Sequence, residues 1–305
     1  MNQTVVALGM FDGVHLGHRA LLSRAAEVAH ANGDEAVAFT YTNHPRELFT
    51  GSFDYICTPA QRETLIRDCG CDRVDSIPFD HTFAAMEPEA FLDWLCARYH
   101  GAVSAIVAGY DYRFGAGAKG DPAMLRALCQ ARGIESVVID EVDVNGLPCA
   151  STRVREAILS GDLETATLLL GRPHVLCGTI VHAKALGRQF DCPTANLSGG
   201  SQILPRDGVY ATVAVLDGAC YDAVTNIGTN PTVGGTARTV ETHVIGQDLD
   251  LYGKRIGVAF FARLRDERRF ASREALFSQI RADAQTAKKV LEETKKGVYN
   301  LERLC

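Results

Sequence analysis

Near its start the chain changes period once, and that change limits what it can fold into. Thr4-Val5-Val6-Ala7-Leu8 is a β-branched and apolar run of the kind that makes a buried strand, and Gly9 ends it. Leu21, Leu22, Ala25, Ala26 and Ala29 then recur at helical spacing until Gly33 supplies a C-terminal stop. Between the two stands Gly9-Met10-Phe11-Asp12-Gly13-Val14-His15-Leu16-Gly17-His18, tight-turn residues with an acid and two histidines. Strand, turn and helix in that order open a layered α/β unit. A helix N-terminus in such a unit presents unpaired N–H groups and a positive dipole end, which together attract phosphate. His15 and His18 are three apart, so a helix starting near His15 carries both imidazoles on one face, beside those N–H groups. The stretch predicts a phosphate site.

The alternation continues to about residue 170. Strands are expected at Val5 to Leu8, Ala36 to Tyr41, Arg73 to Pro78, Ser104 to Ala108 and Ser136 to Ile139. Helices are expected at Pro59 to Asp68, Pro88 to Tyr99 and Pro122 to Ala131, with one more running from Ser151 to Leu170. The pattern describes a doubly wound parallel sheet, whose ligands sit beyond the carboxyl ends of the strands. Gly171-Arg172-Pro173 ends the helical zone. Beyond it come short strands separated by Gly, Asn and Asp, at Gly178 to Val181, Val209 to Leu216, Ala223 to Ile227, Val240 to Ile245 and Ile256 to Phe261. Such spacing suggests a small antiparallel β-barrel, and Ser272 to about Glu293 supplies a C-terminal helix to pack on it. The expected architecture is therefore α/β followed by β, with domains over residues 1–172 and 173–305. A length of 305 residues agrees with two domains.

Composition excludes several classes. An apolar content of 47% with 22% charged residues supports a full core, and a net charge of −6 disfavours nucleic acid as the main partner. No apolar run reaches the ~20 residues needed to span a bilayer, and no secretion signal precedes the first strand, so no membrane partner and a cytoplasmic location are expected. The ten cysteines are scattered through predicted strands and helices and are expected to be reduced thiols. Cys69-Gly70-Cys71 has no second Cys/His pair at zinc spacing and reads as a helix end with two partly buried thiols.

Neither a Gly-x-Gly-x-x-Gly turn nor a Walker lysine loop follows the first strand, so dinucleotide dehydrogenases and P-loop enzymes do not fit. What stands there is His-x-Gly-His. With Gly9 to His18, Asn43-His44-Pro45, Gly109-Tyr110-Asp111-Tyr112-Arg113-Phe114-Gly115 with Gly120-Asp121, and Ser151-Thr152-Arg153-Val154-Arg155, the chain resembles the nucleotidyltransferase half of the bacterial bifunctional riboflavin kinase/FMN adenylyltransferase family, also called FAD synthetase. The second half is similar to the kinase half of that family at Pro193-Thr194-Ala195-Asn196, Asp207-Gly208-Val209-Tyr210, Asn226-Ile227-Gly228, Asn230-Pro231-Thr232, Glu241-Thr242-His243 and Leu251-Tyr252-Gly253-Lys254.

The resemblance implies two ATP-dependent steps, phosphorylation of riboflavin to FMN and adenylylation of FMN to FAD. It makes ATP, riboflavin, FMN and FAD the partners and Mg²⁺ the cofactor. Gly9, Phe11, Asp12 and Gly13 would shape the first nucleotide site, with His15 and His18 on the ATP phosphates and Ser151, Thr152 and Arg155 on the triphosphate from the other side. His44 would meet the nucleotide or flavin, and Asp111 would lie in the region that meets the flavin or metal. In the second half, Gly187, Arg188 and Asn226 would bind nucleotide or flavin, Thr194 and Asn196 would hold the magnesium, and Glu241 would take the proton from the attacking ribityl hydroxyl. Adenylyl and phosphoryl transfer both depend on positioning and charge stabilisation, which these residue types supply. The chain departs from the family pattern at Ala150, where a serine is usual, and in the loop His182 to Cys192, where Ala183, Leu186 and Asp191-Cys192 replace a glycine, an arginine and a Gly-Phe pair. The altered loop motivates an alternative reading, an FMN adenylyltransferase whose barrel has weak or no kinase activity.

Overall fold

β1 (Thr4–Leu8) is buried along its whole length, as a strand must be when it is paired on both edges and covered on both faces. The structure, a computed structural model, describes residues 3–181, 195–229, 238–247, 249, 251–268, 270–294 and 299–305. β1 pairs in parallel with β2 (Glu35–Tyr41) and β4 (Val103–Gly109). β3 (Arg73–Ile77) extends the sheet beyond β2, and β5 (Glu135–Ile139) beyond β4, which gives the order β3-β2-β1-β4-β5. Strand order reverses between β1 and β4, and the loops that leave their carboxyl ends border the crevice where such sheets bind ligands.

The helices follow from their caps. α1 (Leu16–Asn32) stops at Gly33, whose left-handed φ of +72° lets its N–H turn back onto the last carbonyls. α2 (Glu47–Thr50), α3 (Pro59–Asp68), α4 (His81–Ala84) and α5 (Pro88–Arg98) lie between β2 and β4. α6 (Pro122–Gln130) starts on a proline, with Asp121 accepting from the Met124 N–H as its cap. A small hairpin of β6 (Asp143–Val144) and β7 (Leu147–Pro148) follows β5. The sheet core gathers Val6, Leu8, Val37, Phe39, Phe91, Leu92, Leu95 and Ile106.

The single helix expected from Ser151 to Leu170 is two. α7 (Ser151–Ser160) ends at Gly161, which takes a φ of +82°, and Asp162 caps α8 (Leu163–Leu170) by accepting from the Thr165 N–H. A positive-φ glycine followed by an N-cap acid stops one helix and starts the next, although the apolar pattern runs on through both.

The strands that follow close into an antiparallel barrel in the order β10-β11-β12-β9-β8-β13. They are β8 (His174–Val181), β9 (Ala195–Gly199), β10 (Gly208–Leu216), β11 (Ala219–Thr229), β12 (Arg238–Val244) and β13 (Arg255–Arg265). β9 was not expected, because Ala-Asn-Leu-Ser-Gly has a single large apolar residue and no alternation to read. Inside the barrel, Leu176, Ile180, Tyr210, Ala214, Ile227, Val240, Val258 and Phe260 form the core. Thr212, Thr225 and Thr242 are fully buried there and bond hydroxyl to hydroxyl at 2.8 and 3.0 Å, which satisfies their polar atoms. α9 (Arg273–Thr294) packs on β10, β11 and β13, as the sequence predicts.

The chain forms two compact units, Met1–Asp54 with Arg62–Ala150, and Tyr55–Gln61 with Ser151–Cys305. α7 and α8 fall in the second, where α8 packs on β8 and β13. One expectation is corrected: Cys177 on β8 and Cys305 form a disulfide, with Cα atoms 5.8 Å apart, so these two are not reduced thiols. The pair is 128 residues apart in sequence, and neither cysteine has a partner signal in its neighbourhood. Cys69, half-buried, and Cys71, buried, follow the end of α3 as expected. Among the described residues no helix is long and apolar enough to cross a membrane.

Candidate active sites

The turn after β1 is built around strained backbone. Phe11 and Val14 hold φ of +52° and +40°, and Gly13 holds +79°. Positive φ is rare for a residue with a side chain, and rarer for a β-branched one. The Phe11 ring accounts for Gly9: it lies, fully buried, where a Cβ on Gly9 would come within 2.6 Å. The Val14 N–H closes the turn on the Phe11 carbonyl at 3.2 Å. Asp12 is buried in the same turn.

His15 then caps α1. Its Nδ1 accepts from the His18 N–H at 3.3 Å, and the two imidazoles stack with centroids 3.7 Å apart and an interplanar angle of 19°. An Nδ1 that accepts a backbone N–H leaves the proton of a neutral ring on Nε2, so the His15 tautomer is set as an Nε2 donor. The edge of Phe11 supports His18 at 5.4 Å. Gly17 lies under the His15 ring, and a Cβ there would approach it to 3.2 Å and the Cys149 carbonyl to 3.3 Å. The expected pair of imidazoles at a helix N-terminus is therefore present, with His15 both capping and stacking.

Two further loops leave the same ends of the sheet. After β2, Asn43 clamps Phe79 by donating to its carbonyl and accepting from its N–H, at 2.9 and 2.8 Å. His44 stacks flat on Phe53 at 3.7 Å while its Nδ1 accepts from the Arg46 N–H. After β4, Asp111 is exposed, and one of its oxygens folds back to within 3.3 Å of the Cβ position of Gly109. Ser151, Thr152 and Arg155 occupy the first turns of α7, in the other compact unit.

On the barrel, alternation decides which way each residue faces. Val240, Thr242 and Val244 are buried inside, so Glu241 stands on the outer side of β12. Register places Asn226 of β11 on one side of Glu241 and Asn196 of β9 on the other. Cross-strand partners share a face, so Asn196, Glu241 and Asn226 form one row. Burial first, and the Glu267 carboxylate second, hold the Glu241 carboxyl above its ordinary value, which makes it a stronger base. Glu267 accepts from the Asn226 amide at 3.0 Å and fills the place that a side chain on Gly228 would take.

Residues 1–153 match the FAD synthetase family, and residues 170–291 match the riboflavin kinase family. A bifunctional riboflavin kinase/FMN adenylyltransferase of Escherichia coli (strain K12) is 36% identical over 294 residues, which cover 95% of this chain and 94% of the relative. The chain belongs to the bifunctional riboflavin kinase/FMN adenylyltransferase family. Its relative in Pseudomonas fluorescens is 35% identical over 93% of this chain and 92% of its own. The same fold occurs in a crystal structure described as that of a macrolide-efflux protein from Streptococcus pneumoniae, 31% identical with a TM-score of 0.85 over 94% of each chain.

Membership in the family supports both of the activities expected above, and nothing favours the kinase-silent alternative. Gly187, Arg188 and Thr194, with the altered loop His182 to Cys192 and Asn230-Pro231-Thr232, lie outside the described residues. Sequence reasoning missed Glu267. It lies in a mixed-charge segment, and only the return of the chain from β13 brings it to Asn226.

Proposed function

We propose that the two reactions are divided between the two halves of the chain. Residues 173–305 phosphorylate riboflavin to FMN with ATP, and residues 1–172 adenylate FMN to FAD with release of pyrophosphate. In the first step Glu241 takes the proton of the ribityl primary hydroxyl as its oxygen attacks the γ-phosphorus and ADP leaves with the bridging oxygen, since a protonated alcohol is a poor nucleophile. Asn226, held by Glu267, orients the substrate beside it. The Asn196 carboxamide is a hard oxygen donor of the kind Mg²⁺ takes, and with Thr194 it would hold that ion. When bound, Mg²⁺ neutralises charge on the ATP phosphates. Gly187 and Arg188 are assigned to the nucleotide.

In the second step the FMN phosphate attacks the α-phosphorus of ATP in line, and the enzyme positions groups and stabilises charge without a covalent intermediate. His15, a donor at Nε2, and His18 bind the phosphates at the N-terminus of α1, where the dipole also favours anions. Ser151, Thr152 and Arg155 take the triphosphate, Gly9, Phe11, Asp12 and Gly13 shape the turn, and His44 and Asp111 meet the flavin nucleotide. ATP as the shared co-substrate assigns the work to the cytoplasm.

The observation that carries the kinase assignment is the row Asn196, Glu241, Asn226, which gathers a base and two carboxamides from three strands. Incubating Glu241→Gln with riboflavin, ATP and Mg²⁺ and separating FMN from FAD by chromatography tests it. Riboflavin phosphorylation is lost and FAD formation from supplied FMN is kept; unchanged FMN formation overturns the role of Glu241.

A further inference from the structure

Arg62 is only 5% exposed, yet no carboxylate among the described residues forms an ion pair with it. Its Nη1 donates to the Met10 carbonyl at 3.3 Å and its Nη2 to the Tyr41 carbonyl at 2.7 Å. A guanidinium taken out of water against two carbonyl dipoles is unfavourable unless something else compensates it. The place where it sits suggests what does. The Met10 carbonyl also accepts from the Thr40 hydroxyl at 3.0 Å, so the peptide just before Phe11 is held from two directions. Immediately after it come the positive-φ positions Phe11, Gly13 and Val14, and then the stacked pair of His15 and His18. Backbone in such conformations persists only where its surroundings over-determine it, and it clusters at sites where it serves the mechanism. Gly9 and the Phe11 ring constrain the turn by packing. Arg62 and Thr40 constrain it by hydrogen bonds, and of the two only Arg62 brings a charge.

We propose that Arg62 is a positioning residue for adenylyl transfer: its guanidinium fixes the Met10 carbonyl, and with it the strained turn that presents His15 and His18, while the phosphates of the bound nucleotide balance its buried charge. The proposal rests on the assignment of His15 and His18 to the ATP phosphates. It explains why an arginine is used for what two neutral donors could do. A fork that reaches two carbonyls sets geometry, and a charge paired with no carboxylate among the described residues adds to the field felt by an incoming triphosphate.

The test uses the full chain in the variants Arg62→Met, Arg62→Lys and Thr40→Val, with His15→Ala as control. Each preparation is assayed for FMN adenylylation, with kcat and KM for ATP determined separately, and for riboflavin phosphorylation, which reports folding in the same molecule. Misplacement of the turn costs R62M about 10²-fold in adenylylation kcat/KM, with phosphorylation unchanged. R62K keeps the charge but not the fork, so it recovers KM for ATP and leaves kcat low. T40V loses one clamp and no charge, so it lowers kcat at unchanged KM. Unchanged adenylylation in R62M overturns the proposal, and so does a parallel fall of both activities in R62K and T40V that follows the folded fraction in thermal unfolding. An R62K that fails in KM as R62M does removes the role of the charge. If H15A adenylylates normally, the assignment of the histidines fails instead, which separates the two outcomes.

Discussion

At the residue scale Gly17 constrains the proposed adenylyl site directly beneath the His15 ring. A methyl group there would press on the His15 ring at 3.2 Å and on the Cys149 carbonyl at 3.3 Å, closer than ordinary contact, and the ring would have to move off His18. Gly17→Ala is expected to slow adenylylation about tenfold through that displacement while leaving riboflavin phosphorylation unchanged, which paired assays of one preparation check. His174 illustrates a different residue-level effect. Burial lowers its pKa to about 4, outweighing the hydrogen bond to the Ile203 carbonyl that raises it, and Arg172 lowers it further. The folded state therefore favours the neutral ring. Its contribution is fully present above the ordinary histidine value of 6.5 and is lost as pH falls from there toward 4. The loss amounts to about 3 kcal/mol. Urea unfolding at a series of pH values shows it as a decline across that window, and His174→Gln, whose amide can still reach Ile203, shallows the decline.

Elements are held in place by a few polar contacts on top of apolar packing. α9 lies on the barrel through buried residues such as Ala287 and Leu291, and Asp283, almost buried, grips Arg265 at the end of β13. Arg265 donates to the two oxygens at 3.0, 3.2 and 2.7 Å, and Gln279 also donates to the carboxylate at 2.6 Å. Removing the arginine leaves a buried carboxylate without its charge partner. Arg265→Met is thus expected to cost about 3 kcal/mol in urea unfolding. Glu267 follows Arg265 by two residues, so the same variant loosens the segment that holds Asn226 and slows the kinase step more than the adenylyl step. The break between α7 and α8 belongs to this scale too. Its cause, Gly161-Asp162, is local and present in the sequence, but the apolar residues on either side, Val154, Ala157 and Ile158 before it and Leu163, Ala166 and Leu169 after it, keep the apolar rhythm and conceal it.

Over the whole molecule, the disulfide between Cys177 and Cys305 closes a loop of 128 residues that spans most of the second unit. By the chain-entropy account such a loop contributes up to about 5 kcal/mol. Denatured protein without reductant is expected to titrate two thiols fewer than the ten cysteines of the sequence, and Cys305→Ser or reduction to lower the unfolding midpoint. A full complement of ten thiols would show that the pair stays reduced. In the proposed assignment the histidine pair belongs to one unit and the Glu241 row to the other, while Ser151, Thr152 and Arg155, given to the same triphosphate as the histidines, belong to the unit of Glu241.

What the sequence determined by itself is local. The strand ending at Gly9, the helix capped by His15 and stopped by Gly33, and the outward face of Glu241 all depend on residues within a few positions, where periodicity and cap chemistry act directly. The motifs also carried the family, because they are short runs of contiguous residues. Tertiary structure alone decided the neighbours: Asn196 beside Glu241, Glu267 on Asn226, Arg62 under Met10, and Cys177 against Cys305. Periodicity states which side of a strand is buried. It does not state which distant strand, loop or terminus will lie against the other side, because that follows from sheet order and register, which are settled only when the whole chain packs.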